Sequence, residues 1–189
     1  MLIIYAHPNK EWHCWYILEK IKKTLESKNE KYEVFDIYKM WFDPILWNTE
    51  LYTSSLFKEK NSDIIVLQNT ILNHDKYIII YPTWWNWPPA ILKWFFDRVL
   101  TSWFAFKYDW NIPKWLLKWK AVAITTTWWP KFYQILFVWN RSLKTIVNDT
   151  LSFCWLKSKW FLVWSANNLD EKKKLEIDKL VLCAFDYLH

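Results

Sequence analysis

The chain contains no glycine among its 189 residues. A typical usage of about 7% would give roughly 13 glycines in a chain of this length. Tryptophan, normally one of the rarest residues, is present 18 times. Because the deficit and the excess are similar in size, we infer that most of these tryptophans occupy positions at which the fold favours glycine. A gene whose UGA codons encode glycine but are read as tryptophan would produce this pattern, and so would deliberate replacement; the composition does not choose between them.

Other scarce features exclude several classes of protein. The three cysteines, Cys14, Cys154 and Cys183, are odd in number and lack metal-type spacing, which predicts a reduced, cytoplasmic protein without a metal site. The longest uncharged stretch, residues 77–92, is interrupted by prolines and is too short to span a bilayer. The apolar run at the start, MLIIYAHP, is too short to be a signal peptide.

The positive charge of the chain is modest and dispersed. The formal net charge is +6, and only residues 172–174 form a run of lysines, which is typical of a solvated helix face. A nucleic-acid-binding protein could combine positive charge with the 21% aromatic content through base stacking. The suspect tryptophans inflate that aromatic content, so we expect no nucleic-acid partner.

Apolar runs of strand length alternate with helical patterns from end to end. The predicted strands are residues 2–6, 32–38, 77–81, 121–125 and 161–163, and the predicted helices are residues 15–25, 62–73, 88–99, 132–151 and 170–187. Continuous rather than alternating apolar strands are typical of a parallel sheet covered on both faces. We therefore predict a single α/β domain over residues 1–189, with a flavodoxin-like doubly wound five-stranded parallel sheet and helices on both faces.

Ligands of such sheets bind beyond the carboxyl ends of the strands, near the point where the strand order reverses. The first loop there carries His7, Asn9 and His13 and leads into a helix N-terminus, where backbone N–H groups and the helix dipole favour a phosphate. A plain loop with two surface histidines fits the same spacing equally well.

The loops after the third and fourth strands are unusual as well. Trp84 and Trp85 directly follow the central strand, where planar walls and fixed amides suit a planar heterocycle, although a core position would also explain them. In the segment TTTWWP, threonine hydroxyls and free amides can hold a ring edge or a phosphate. Tyr133, a few residues further on, can donate a hydrogen bond to a developing negative charge.

Together these segments resemble the flavodoxin-like NAD(P)H:quinone oxidoreductases, which include the bacterial drug-activity modulators and the ancillary reductases of potassium-efflux systems. The AHP start, the block PTWWNWPPAILKWFFDRVLTSWFAF and the segment TTTWWP match in the expected order over nearly the whole chain. The family reads W-x-G-x-P-A-x-L-K-G in the middle block, then D-R-V and G-F-A, so that Trp87, Trp94 and Trp103 stand at its glycine positions. Trp128 and Trp129 replace its paired glycines after two threonines.

The resemblance sorts the tryptophans into two groups. Trp84 and Trp85 stand where the family often has aromatic residues, so we take them as native and the other 16 of the 18 as glycine surrogates. Three of these are expected in a loop before a strand, namely Trp110, Trp115 and Trp119. Three more are expected at the boundaries of helices and strands, namely Trp155, Trp160 and Trp164.

The resemblance also implies a function and a set of site residues. The chain would bind FMN or FAD and pass a hydride from NAD(P)H to the flavin and then to a quinone in a ping-pong sequence, as a homodimer. Residues expected at the phosphate are His7, Asn9, His13 and Cys14; those at the isoalloxazine ring are Pro82, Thr83, Trp84, Trp85 and Asn86; those at its pyrimidine side are Thr126, Thr127, Trp128 and Trp129. Tyr133 would stabilise charge on the reduced ring, and indoles at Trp128 and Trp129 would obstruct the flavin.

A non-enzymatic flavodoxin-type electron carrier is the alternative. It would share the fold, but such carriers are usually acidic, whereas this chain has a net charge of +6.

Overall fold

The computed structural model describes residues 1–40, 42–51, 61–110 and 112–189. In that part of the chain the strands are β1 (Leu2–Tyr5), β2 (Glu33–Asp36), β3 (Lys76–Pro82), β4 (Phe106–Asp109), β5 (Ile112–Trp115), β6 (Leu117–Thr126) and β7 (Trp155–Val163). The helices are α1 (His13–Ser27), α2 (Ser62–Leu72), α3 (Ala90–Val99), α4 (Lys131–Leu136), α5 (Arg141–Lys144), α6 (Ser152–Cys154) and α7 (Glu171–Leu188), and a π-helical segment, Thr145–Leu151, joins α5 to α6.

Five of these strands form one sheet in the order β2-β1-β3-β6-β7. All of its neighbouring strands pair in parallel. The chain moves outward from β1 to β2 and then returns past β1 to β3, so the order of the strands reverses between β1 and β3. This is the flavodoxin-like doubly wound sheet that the sequence predicts, and the prediction of the fold is confirmed.

Helices cover both faces of the sheet. Ile4 and Tyr81 belong to the core cluster beneath α2, α3 and the π-helical segment, whereas Ile3 and Ile80 belong to the cluster beneath α1 and α7. Neighbouring residues of one strand thus face opposite layers, and both layers are apolar. This explains why the central strands read as continuous rather than alternating apolar runs.

A buried ion pair holds the connection after β2 against α3. Arg98 is only 2% exposed, and its guanidinium donates to the Glu50 carboxylate at 2.6 and 3.0 Å and to the carbonyl of Asp43. Because an unpaired buried charge is costly, this pair fixes residues 42–51 on the α3 side of the sheet. No helix in the described ranges is both long and apolar enough to cross a membrane.

The prediction of one helix over residues 132–151 is wrong. Trp139 and Asn140 have φ values of 56° and 52°, in the left-handed region. Two such residues in succession cannot continue a right-handed helix. The chain therefore turns between α4 and α5. In a glycine-bearing sequence this turn would have a recognisable signal, which tryptophan does not provide.

The positions predicted for three other tryptophans, two in a loop and one at an element boundary, are also wrong. Trp115 lies in β5, which pairs with β4 as an antiparallel hairpin, and Trp119 lies in β6, so neither belongs to a loop. Trp160 lies inside β7, which begins well before the predicted strand. β7 is at the edge of the sheet, where exposed Lys157 and Lys159 interrupt the apolar run that a buried strand would show.

The surroundings of the tryptophans support their interpretation as glycine surrogates. No tryptophan whose side chain the structure describes is buried, although tryptophan is usually among the more buried residues. Trp103, Trp110 and Trp139 have φ values of 67°, 50° and 56°, which favour glycine. Trp85, taken as a native aromatic, has a φ of 52° and is 96% exposed, so its backbone shares this feature. Trp41 lies outside the described residues.

Candidate functional site

A cavity of about 910 Å³ opens at the carboxyl edge of the sheet. It lies where the connections after β1, β3 and β6 meet, beside the point at which the strand order reverses. Its volume is at the upper end of the range of small-molecule sites, roughly 300–1,000 Å³, and suits a ligand of nucleotide size.

The cavity brings together most of the residues that the sequence analysis assigned to ligand binding. Twelve of those thirteen residues line it: His7, Asn9, His13, Cys14, Pro82, Thr83, Trp84, Trp85, Asn86, Thr126, Trp128 and Trp129. Thr127 and Tyr133 are not among the lining residues. Three residues that the sequence analysis did not single out, Trp12, Ala166 and Asn167, line it as well.

The loop after β1 is fixed by its own hydrogen bonds. His7 Nδ1 lies 3.0 Å from the N–H of Asn9 and 2.9 Å from its carbonyl oxygen, which holds the imidazole against the loop. Asn9 Oδ1 accepts from the N–H of Glu11 at 2.8 Å, and the Tyr5 hydroxyl donates to the Asn9 carbonyl at 3.1 Å. Burial lowers the pKa of His7, so its ring is neutral near pH 7.

The N-terminus of α1 forms one wall of the cavity. The preceding residue, Trp12, has extended backbone with φ −108° and supplies no side-chain cap. The first-turn N–H groups of a helix have no partner within the helix, and with the helix dipole they attract anions. His13 and Cys14 begin this helix and line the cavity, so the wall is suited to a phosphate.

The two buried side chains on this wall are uncharged. His13 Nε2 lies 3.1 Å from the carbonyl oxygen of Asn168, and burial lowers the pKa of the imidazole. Cys14 Sγ lies 3.5 Å from Thr126 Oγ1, and burial raises the pKa of the thiol to about 12. Because the thiolate is the nucleophilic form, Cys14 contributes packing and shape rather than covalent chemistry.

Burial of His13 predicts that acid destabilises the protein. The pKa of His13 in the folded state lies below the ordinary value of 6.5, so the unfolded chain binds a proton first as the pH falls. The contribution of the neutral ring to the free energy of unfolding is therefore fully present above about pH 6.5. Below that pH the free energy of unfolding declines by up to about 1.4 kcal/mol per pH unit for each such histidine. His13→Gln should flatten the decline measured by urea unfolding between pH 7 and pH 5. A slope equal to that of the parent would show that His13 does not cause it.

A two-residue turn presents the loop after β3 to the cavity. Trp84 and Trp87 exchange both backbone hydrogen bonds, at 2.9 and 2.8 Å, and the residues between them, Trp85 and Asn86, both have positive φ. This is the geometry of a type I′ turn. In the described ranges the N–H groups of Trp85 and Asn86 have no acceptor, so both are available to acceptor atoms of a ligand.

Threonine contacts fix this loop to the end of β6. The N–H of Thr83 donates to the carbonyl of Thr126 at 2.8 Å, and the hydroxyls of Thr83 and Thr125 lie 2.9 Å apart. The N–H of Thr127 donates to the carbonyl of Val163 at 3.0 Å, which extends the ladder between β6 and β7 beyond the strand. The loops after β3 and β6 are therefore parts of one rigid edge.

A buried glutamine that the sequence analysis did not identify joins the same two loops. Gln134 of α4 is 3% exposed, and its Nε2 donates to Asn86 Oδ1 at 3.1 Å and to Thr127 Oγ1 at 3.0 Å. Its only signal in the sequence is that it is a polar residue within an apolar helix, which is usually interpreted as a solvent-exposed position.

The connection after β7 completes the site. The N–H of Ala166 donates to the carbonyl of Thr127 at 2.8 Å, and that of Ser165 to the carbonyl of Trp129 at 3.2 Å. These bonds bring Ala166 and Asn167 to the cavity wall. Because parallel strands end at a common edge, the loop after the fifth strand also lies at this edge. Applied to that strand, this rule predicts Ala166 and Asn167 at the site.

Tyr133 stands behind the cavity wall rather than in it. Its ring stacks on Trp129, with the centroids 4.3 Å apart and the planes at 17°, and on Phe137 at 5.2 Å. No side chain or backbone group in the described part of the chain forms a hydrogen bond with its hydroxyl.

Comparison with known proteins identifies relatives with oxidoreductase names. An uncharacterized NAD(P)H oxidoreductase of Haemophilus influenzae is 37% identical over 109 residues, which cover 56% of this chain and 52% of the relative. NAD(P)H dehydrogenase (quinone) 1 of Cavia porcellus is 32% identical over 124 residues, which cover 57% of this chain and 45% of the relative. The chain thus spans about half the length of these curated relatives.

A solved structure and a family pattern cover far more of the chain. The crystal structure of Smu.1420 from Streptococcus mutans UA159 superposes with a TM-score of 0.83 at 26% identity over 98% of both chains. The sequence pattern of the family Flavodoxin_2, described as having a flavodoxin-like fold, matches residues 1–180. On this match, and on the sheet order and the site at its carboxyl edge, the chain belongs to the Flavodoxin_2 family.

Proposed function

We propose that the protein is a flavin-dependent NAD(P)H oxidoreductase that reduces quinones by a ping-pong sequence. The observation that carries the proposal is the pairing, in one cavity, of an uncapped helix N-terminus with the two free amides of the turn after β3. The first suits a phosphate, and the second suits the acceptor edge of a planar ring. The names of the two curated relatives point to the same activity.

The residues of the cavity fit the two ends of FMN, or of the flavin half of FAD. The N-terminus of α1, with His7, Asn9 and His13 near it, would hold the phosphate, and Cys14 would pack beneath it. Pro82, Thr83, Trp84, Trp85 and Asn86 would lie along the ring, and Thr126, Trp128 and Trp129 would lie at its pyrimidine side. A bound flavin would supply the hydride-accepting and hydride-donating chemistry, while these residues orient the ring and stabilise charge on it.

The volume of the cavity supports a reaction in which the two substrates alternate. With a flavin bound, a cavity of this volume would admit the nicotinamide and the quinone in turn rather than together. Each substrate would then leave before the other enters. We therefore expect parallel lines in double-reciprocal plots when NAD(P)H and the quinone are varied.

The test begins with the cofactor. The protein with glycine in place of every tryptophan except Trp84 and Trp85 is purified, incubated with FMN or FAD, freed of excess ligand and examined for visible absorbance. NAD(P)H oxidation is then followed with and without a quinone. Bound flavin with steady NAD(P)H consumption is the expected result. Failure to retain either flavin after reconstitution would overturn the proposal, and bound flavin without NAD(P)H consumption would indicate an electron carrier instead.

Substitution Tyr133→Phe tests the donor behind the cavity wall. The free hydroxyl can stabilise negative charge that develops on the ring during reduction, so its removal should slow single-turnover flavin reduction by about 10- to 100-fold. Flavin affinity should change little, because the phenyl ring retains the stacking on Trp129. Stopped-flow reduction by NAD(P)H measures the rate, and an unchanged rate would make Tyr133 a structural residue.

We further propose that the protein is a homodimer. Ile65 and Val66 of α2 and Phe132 and Leu136 of α4 are large apolar residues that are between 46 and 64% exposed in this single chain. Phe132 and Leu136 are four residues apart and therefore lie on one face of α4. Contiguous exposed apolar surface is typical of protein interfaces. Sedimentation should give a dimer, and Val66→Asp should shift the equilibrium towards the monomer, whereas a monomeric parent protein would overturn the proposal.

A further inference from the structure

Helix α4 buries a polar residue and exposes its apolar ones, the reverse of the usual arrangement. Its only fully buried residue is Gln134, whereas Phe132, Ile135 and Leu136 are between 46 and 64% exposed. A helix on a protein surface normally buries its apolar stripe and exposes its polar residues. The orientation of α4 therefore depends on what the Gln134 side chain contacts rather than on apolar burial.

The side-chain amide nitrogen of Gln134 donates two hydrogen bonds, one to each of two loops. Nε2 donates to Asn86 Oδ1 in the turn after β3, at 3.1 Å, and to Thr127 Oγ1 in the connection after β6, at 3.0 Å. Buried hydrogen bonds of this kind are worth most when every partner is satisfied. No other side chain in the described ranges bonds to both loops in this way.

The two acceptors differ in how firmly they are held. Thr127 is anchored to the sheet edge, because its N–H donates to Val163 and its carbonyl accepts from Ala166. Asn86 is in the left-handed region, with φ 61°, in a turn that is closed by the Trp84–Trp87 pair alone. Gln134 thus ties a strained turn to a fixed point of the fold.

We propose that Gln134 is a positioning residue that aims the free amides of Trp85 and Asn86 into the cavity. Its bond to Asn86 restrains the turn in the orientation that presents these amides, before any ligand is bound. The turn is then preorganised, and a flavin does not have to order it on binding. This role rests on the proposed function for its ligand, but the restraint itself exists in the flavin-free protein.

The experiment compares Gln134→Met with Gln68→Leu. Met keeps the length and most of the volume of the side chain but cannot donate. Gln68 is the control, because it is also buried, at 6% exposure, and its Nε2 donates to the Thr101 hydroxyl and to the Val99 carbonyl. It is not among the residues that line the cavity. Gln134→Leu, which can neither donate nor accept, is the second variant in case the first does not fold.

Two readouts separate positioning from general stability. The first readout is hydrogen exchange in the flavin-free protein. In the Gln134 variants, the Trp84 and Trp87 amides should exchange about 10-fold faster than any change in global stability explains. This factor corresponds to the loss of about one hydrogen bond. Flavin should bind about 10-fold more weakly, and its midpoint potential should shift. Gln68→Leu should change only global stability.

The outcomes distinguish this role from the function it serves. The role of Gln134 would be overturned if the Trp84 and Trp87 amides exchanged no faster in its variants than in Gln68→Leu. It would also be overturned if flavin binding weakened only in proportion to the lost stability and the midpoint potential of the flavin did not change. If the protein with glycine in place of every tryptophan except Trp84 and Trp85 binds no flavin, the proposed function is overturned, while accelerated exchange in the Gln134 variants would still support the restraint.

Discussion

Replacing Trp103, Trp110 and Trp139 together with glycine is expected to raise the free energy of unfolding by about 2–4 kcal/mol. Their φ values of 67°, 50° and 56° bring the Cβ atom close to the following carbonyl oxygen, at about 1–2 kcal/mol for each residue. Glycine avoids this contact, although its greater freedom in the unfolded chain offsets about 0.5 kcal/mol per site. The indoles are 74, 95 and 64% exposed, so their removal loses little packing.

Urea unfolding followed by circular dichroism measures this gain. The three positions lie in separate connections, so their effects should add. The matched control is Trp94→Gly with Trp160→Gly. These two indoles are also exposed but lie within α3 and β7 at ordinary φ, where glycine should lower stability by about 0.5–1 kcal/mol per site. An equal gain in both variants would mean that removing exposed indoles, and not relief of backbone strain, stabilises the protein.

The sheet could be predicted because its strands are buried on both faces. Ile78, Ile79 and Ile80 show this most directly, since neighbours along β3 face different core clusters and the run is apolar throughout. The turns were harder to predict from the sequence. At Trp139 the sequence shows a bulky residue where the backbone adopts a left-handed conformation, so the break between α4 and α5 has no glycine signal.

The site was predictable to the extent that loops at strand ends define it. The N-terminus of α1 and the loop after β3 that contains Trp85 and Asn86 follow from strand order and from the resemblance, whereas the turn at these two residues does not. The contacts of Gln134 did not follow, because the pairing of its amide with Asn86 and Thr127 depends on how α4 packs over the edge of the sheet. Single-sequence patterns carry no information on that packing.

Two of the cavity-lining tryptophans bear directly on ligand binding. Trp128 and Trp129 are 72% and 46% exposed, and both side chains belong to the cavity wall after β6. The indole of Trp129 is held in place by its stacking on Tyr133, at 4.3 Å. A ring that approaches the backbone here must displace an indole or share its space.

Replacing Trp128 and Trp129 with glycine is accordingly expected to tighten flavin binding by at least about 30-fold. Displacing a bulky side chain from the space of a ligand costs about 1–3 kcal/mol per site, and two sites give about 2–6 kcal/mol. At 1.4 kcal/mol for each tenfold change in Kd, the lower limit corresponds to about 30-fold.

The comparison is best made in the Trp103, Trp110 and Trp139 glycine background, in which both proteins should be folded. Fluorescence titration with FMN and with FAD gives the two Kd values. Adding Trp94→Gly and Trp160→Gly to that background removes two indoles away from the cavity and should leave the affinity unchanged. If removing Trp128 and Trp129 weakens binding instead, the indoles are themselves stacking surfaces for the ring, and the flavin site is built around tryptophan rather than obstructed by it.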